Sequence, residues 1–141
     1  MKLKELITEM PYAEIKHAED DIDKLFRDIG LDVEFSKHFK DRISDDSYDS
    51  RDSDVTYNEL FKAFKELKDK YGQYLINARQ RPKEFIAILK DATTNLNIPF
   101  SIDYDKIYNG LHKLKAFTLM RKKNFVPNKT GEKILTIRTE K

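Results

Sequence analysis

Between Tyr12 and Tyr71 the apolar residues return every three or four positions, and beyond Pro82 they return every second position or run without a break. That change of period predicts helices first and strands afterwards. In the first long stretch Ile15, Ala18, Ile22, Leu25, Phe26 and Ile29 fall on one side of a helical wheel, and Gly30 supplies the stop. Ahead of it, Leu3, Leu6, Ile7 and Met10 suggest a short helix or arm ended by Pro11. A second helical stretch over 34–43 aligns Phe35, Phe39 and Ile43. The polar run 44–54 reads as an exposed loop. Thr56 followed by Glu59 forms a capping box, and Val55 with Leu60 takes the positions of a hydrophobic staple. The helix they open aligns Tyr57, Leu60, Phe61, Phe64, Leu67 and Tyr71, meets Gly72, and has room for another turn or two over 73–79.

After Pro82, residues 84–91 are a nearly continuous apolar run, as expected of a strand covered on both faces. Leu96, Ile98, Phe100 and Ile102 alternate with polar residues and Pro99, so this strand is read as an edge or as the site of a bulge. A third strand is expected over 111–122 and a fourth over 133–139, after a turn at 127–131. Short links between strands imply antiparallel neighbours. The expectation is an α+β fold with N-terminal helices packed on a four-stranded antiparallel sheet. A single domain over 1–141 is expected, with 1–32 as an acidic helical extension and 33–141 as the α+β core.

The net charge of +2 is a cancellation. Residues 1–60 hold 17 acidic and 9 basic side chains, whereas residues 61–141 hold 8 acidic and 18 basic ones. Two readings follow from this division. A basic sheet-forming half suits a polyanion, nucleic acid being the first candidate. Alternatively, acidic helices neutralise a basic sheet internally, and the charge serves the fold. The absence of cysteine excludes disulfides, thiol catalysis and Cys-ligated zinc. No run of about 18 apolar residues occurs, so no membrane partner is expected and the location is read as cytoplasmic.

His17 lies on the charged side of its helix and reads as solvated, while His112 stands beside Lys113 and Lys115. His38 precedes Arg42 by one helical turn, which places an imidazole and a guanidinium on one flank. Metal-independent cleavage of RNA needs an acid and a base together with cations for the phosphoryl oxygens. His38 suits proton transfer and Arg42 and Arg121 suit phosphate; the competing assignment pairs Arg42 with Asp41, Asp45 or Asp46. Regular alternation along the third strand places Lys115, Phe117, Leu119 and Arg121 on one face. Lys113, Lys115, Lys122, Lys123 and Arg138 form the candidate nucleic-acid surface, with Tyr104, Tyr108, Phe117 and Phe125 interleaved as stacking candidates. No phosphate-binding glycine loop, zinc-protease helix motif or nucleophile elbow occurs, so no cofactor is expected. The acidic loop 45–54 lacks the glycine and glutamate of a calcium hand, which leaves only loose divalent binding by Asp45, Asp46, Asp49 and Asp52.

Taken together, Lys-His-Phe-Lys-Asp-Arg-Ile at 37–43, the Arg-Asp pair at 51–52, the helix capped at Thr56, Leu-Asn-Ile-Pro-Phe at 96–100 and the strand from Thr118 to Phe125 resemble small bacteriophage-encoded proteins related to the barnase, EndoU, colicin and RelE-like nuclease group. The resemblance covers roughly 33–139. It implies a metal-independent ribonuclease, or a toxin-like host-takeover factor acting in the host cytoplasm. It maps His38 and Arg42 onto a His-x-x-x-Arg helix motif, and Thr118 and Arg121 onto polar and basic strand positions. The acidic N-terminal helix is additional to the pattern, either as a docking element for a protein partner or as part of the core. The alternative function is a non-enzymatic interaction module, such as a virion component or an inhibitor of a host factor.

Overall fold

In the first helix, α1 (Tyr12–Phe26), Ile15, Ala18, Ile22 and Phe26 of the apolar stripe have no exposed surface, and Leu25 packs partly buried against the core. This is a computed structural model, and it describes residues 12–44, 55–78, 85–108, 110–123 and 133–139. The arm at 2–10, the acidic loop 45–54 with its metal candidates, the Arg-Asp pair at 51–52 and the turn at 127–131 lie outside the described residues. After α1 a single 3₁₀ turn, Arg27–Ile29, ends at Gly30, whose φ of 78° is the left-handed conformation that glycine adopts without steric penalty.

The chain then enters a strand, β1 (Leu31–Phe35), where a helix was expected to begin at 34. Leu31, Val33 and Phe35 point inward and Asp32 and Glu34 outward, a two-residue period that overlaps the four-residue spacing of Phe35, Phe39 and Ile43. Ser36 separates the two patterns. Its side chain accepts from the Phe39 N–H at 3.0 Å and caps helix α2 (Lys37–Ile43), and Phe35 stacks on Phe39 across the junction.

Helix α3 (Tyr57–Ala78) opens as its sequence predicts: Thr56 Oγ1 accepts from the Glu59 N–H at 3.2 Å, and Val55 and Leu60 are both fully buried. It passes through Gly72 without a break, because Leu75 continues the buried stripe and its carbonyl accepts from the Tyr104 hydroxyl at 2.7 Å. A Cβ at Gly72 would meet nothing nearer than the Lys68 Cγ at 3.9 Å. Gly72→Ala is therefore expected to raise stability by about 0.5–1 kcal/mol, read as a higher denaturant midpoint.

The remaining strands are β2 (Phe85–Asp91), β3 (Leu96–Tyr108), β4 (Leu111–Ala116), β5 (Met120–Arg121) and β6 (Lys133–Ile137). They form one sheet in the order β1-β4-β3-β2-β6, with β5 also paired to β3. The α+β class is as expected, but the sheet is mixed and larger than four strands. The β2–β3 and β3–β4 pairs, joined by short turns, are antiparallel, whereas β1 on β4 and β6 on β2 are parallel. The outer strands are reached through longer stretches of chain, and a long connection imposes no antiparallel constraint. The helices cover the face that carries Phe35, Leu114, Phe100, Leu89 and Leu135, and build one core there with Phe26, Phe39 and Phe64.

Pro99 stands in a central strand and marks a bulge. Phe100 pairs with Ala116, yet Asn97, three residues earlier, pairs with Met120, four residues later. One extra residue is thus accommodated in 117–119. In an antiparallel strand the N–H and C=O of a residue point to the same side. The Pro99 carbonyl accepts from the Phe117 N–H at 3.0 Å, so the donor that proline lacks would also have faced this neighbour, and there the pairing breaks.

Helix side chains close both outer edges of the sheet. On β1, the outward N–H groups of Val33 and Phe35 donate to Asp23 at 2.8 Å and to Glu19 at 2.6 Å. Residues four apart on a helix rise about 6 Å and residues two apart on a strand about 6.6 Å, so one turn of α1 matches two successive outward donors. On β6, the Thr136 carbonyl accepts from Lys70 at 2.9 Å and from the Tyr71 hydroxyl at 3.0 Å. Part of the acidity of the N-terminal half is spent on this edge protection.

Candidate nucleic-acid interface

The bulge decides where the expected site residues point. Slipping the register by one residue turns every following side chain to the other face. Arg121 pairs with Leu96 and so faces the helices, whereas Lys115 pairs with Ser101 on the opposite face. The expectation that Lys115 and Arg121 share a face is corrected accordingly. The Arg121 guanidinium takes both carboxylate oxygens of Glu59, at 2.6 and 2.9 Å, and donates to the Thr94 carbonyl at 3.0 Å. Only 27% of the Arg121 side chain and 16% of that of Glu59 are exposed. The Glu59 carboxylate that the capping box would turn back to its own helix is thus turned to the sheet instead, while its N–H still donates to Thr56 Oγ1.

His38 is exposed on α2 and Arg42 is half-buried one turn later, with Lys37 and Asp41 paired beside them at 2.8 Å. Thr118 lies in the bulge with its hydroxyl buried. Lys113 stands 3.5 Å from Glu34. Lys115 is exposed, as are Lys122, Lys123 and Arg138. Lys122 leaves β5 at a fixed point: its N–H donates to the Asn95 carbonyl, and buried Asn97 donates to the carbonyls of Asn95, Met120 and Lys122. Arg138 follows Ile137, the partner of Asp91, so Lys122, Lys123 and Arg138 lie near the Asp91–Leu96 turn, whereas Lys115 pairs with Ser101 further along β3. Of the aromatic candidates, Tyr104 belongs to the core and Phe117 is 38% exposed; the side chains of Tyr108 and Phe125 lie outside the described residues.

His112 faces the helix side, packed edge-on against Tyr104, and is not part of the open face. His17 stacks on Tyr57 and stands 3.4 Å from Asp21, which also accepts from the Tyr57 hydroxyl. That bond to a carboxylate, with burial, pushes the Tyr57 phenol up to about 12.

Two features had no local signal in the sequence. Ile134, 43% exposed on the face away from the helices, neighbours buried Ile88 in register. A polar cleft of about 260 Å³ lies where α1, β1, α2 and β4 meet, with Glu19, Asp23, Asp32, Glu34, Lys40 and Lys113 in its walls. In it the bond from Asp32 to Asp23, with burial, raises the Asp32 carboxyl to about 6. Burial acts to raise Asp23 as well, but hydrogen bonds from Asp32, the Val33 N–H and Arg27 outweigh it and hold Asp23 below the usual carboxylate range.

Comparison of the chain with models of known protein families, with curated proteins and with solved structures finds no match. Among the described residues, no helix is long and apolar enough to cross a membrane.

Proposed function

We propose that this protein binds single-stranded RNA through the sheet face turned away from its helices. One observation carries the reading: Phe117 and Lys115 are exposed along β4 and its bulge, Lys122, Lys123 and Arg138 are exposed around the Asp91–Leu96 turn, and no carboxylate among the described residues forms an ion pair with any of these cations. A sheet surface with an exposed aromatic ring and flanking ammonium and guanidinium groups suits unstacked bases on a phosphate backbone, and is too broad for the deep groove of an RNA duplex.

Labelled single-stranded RNA of about a dozen nucleotides is expected to bind at roughly 50 mM salt, and to weaken linearly in log–log terms as salt rises. The double variant Lys115→Glu, Lys122→Glu should weaken binding about tenfold or more at unchanged stability. Absence of binding at that salt, or an unaffected double variant, overturns the reading. Cleavage is a separate claim, which rests on His38 and Arg42 now that Arg121 is committed to Glu59. RNA left intact by the wild-type protein, with and without divalent metal, removes it.

The second reading, a non-enzymatic interaction module, is favoured by Ile134, an apolar side chain exposed on the same face. Loss of a protein contact on Ile134→Lys, with RNA binding absent in the wild type, would select it.

A further inference from the structure

We propose that Asp23 and Asp32 form a proton-operated clasp fastening α1 to the outer edge of β1, closed while the two carboxyl groups share a proton and loosened when both ionise. The inference goes beyond the RNA reading and does not depend on it. Asp23 projects from the helix and Asp32 from the strand, one residue before Val33, whose N–H donates to Asp23 Oδ1 at 2.8 Å. Arg27 holds the other Asp23 oxygen at 2.9 Å. A carboxyl–carboxyl hydrogen bond exists only with a proton between the two groups; without it two like charges face each other across the junction.

The surroundings leave that repulsion poorly offset. Facing the pair are Lys16, Glu19 and Asp20 of α1, Glu34 of β1, Lys40 of α2 and Lys113 of β4, with Asp103 of β3 in register beside Lys113. Lys16 stands at 3.1 and 3.2 Å from Glu19 and Asp20, Lys40 at 3.7 Å from Glu19, and Lys113 at 3.5 Å from Glu34. Lys113 and Arg27 also pull the Asp32 carboxyl downward, but each is held by another carboxylate as well, and the upward push from the bond to Asp23, from burial and from the Asp23 charge outweighs them.

The direction of the pH dependence follows from the two shifts. Asp32 titrates near 6, above its unfolded value of about 3.9, so its contribution is complete below that unfolded value and is lost as pH rises through 6. Asp23 is depressed, so its contribution persists above the ordinary aspartate range and is lost only as pH falls through its lowered value. Between about pH 5 and pH 7.5, Asp32 is the member of the pair that changes charge.

Amide hydrogen exchange of the full chain, read by NMR and normalised to the intrinsic rate at each pH, tests the clasp. Protection of the Val33 amide is expected to fall about tenfold from pH 5 to pH 7.5, while that of Leu89 in the sheet centre stays constant. In Asp32→Asn the side-chain amide donates to Asp23 at every pH, and Val33 protection should stay flat. A flat wild-type profile, or an Asp32→Asn profile that falls as far as the wild type, overturns the proposal. Should the variant not fold, the wild-type Asp32 carboxyl carbon decides: a midpoint near 6 shared with the Val33 amide shift upholds the clasp, and a midpoint below 5 ends it.

Discussion

Glu59→Ala is expected to cost about 2–4 kcal/mol of folding stability, and Arg121→Ala about as much, with the double variant costing well under the sum. The guanidinium is largely covered and its two-pronged partner is a single carboxylate on α3. Removing Glu59 takes the bidentate carboxylate from a mostly buried cation that also donates to the Thr94 carbonyl, and the penalty is chiefly that of a poorly compensated charge. The link also joins α3 to β5, the two-residue strand paired to β3. Denaturant midpoints of the four proteins in the cycle give the coupling directly. The same cycle separates structure from function. If Arg121 instead held phosphate, Arg121→Ala would keep its stability and lose RNA affinity.

The second large effect concerns Glu19. Glu19→Ala is expected to cost about 2–4 kcal/mol, with Glu19→Gln costing about 1 kcal/mol because the amide oxygen still accepts the Phe35 N–H. Glu19 is 4% exposed, it receives that N–H at 2.6 Å, and it is flanked by Lys16 at 3.1 Å and Lys40 at 3.7 Å. Truncation orphans a buried donor and deprives two ammonium groups of their shared counter-ion. It also opens the edge of β1, so the alanine variant should self-associate in sedimentation at concentrations where the glutamine variant stays monodisperse. Equal stability of the two variants would show that the carboxylate does not protect the edge.

Elements whose information is local were legible in the chain. The α1 stripe, the Gly30 stop, the Thr56 cap and the alternation along β3 each depend on residues within one or two turns of one another, and each stands where the pattern placed it. β1 was hidden because Phe35 completes two periods at once, the strand alternation behind it and the helical spacing ahead. For the candidate site, Lys115, Lys122, Lys123 and Arg138 were legible as exposed cations, whereas the orientation of Arg121 was not. Its side is set by the single extra residue at 117–119, and strand alternation counted through an unseen bulge reverses every later position. The acidic N-terminal helix was legible as acidic but not as an edge cover, since Glu19 and Asp23 find their partners 16 and 10 residues away.

By itself the sequence determined the α+β class, the helical half and the sheet-forming half, and the split of charge between them, because periodicity, capping and composition are properties of neighbouring residues. Only the tertiary structure decided that the sheet is mixed, that Arg121 turns to Glu59 while Lys115 stays outside, and that carboxylates of α1 close the edge of β1. Those outcomes depend on which strands become neighbours and in what register. Pairing of that kind joins groups distant in the chain, and no local pattern encodes it.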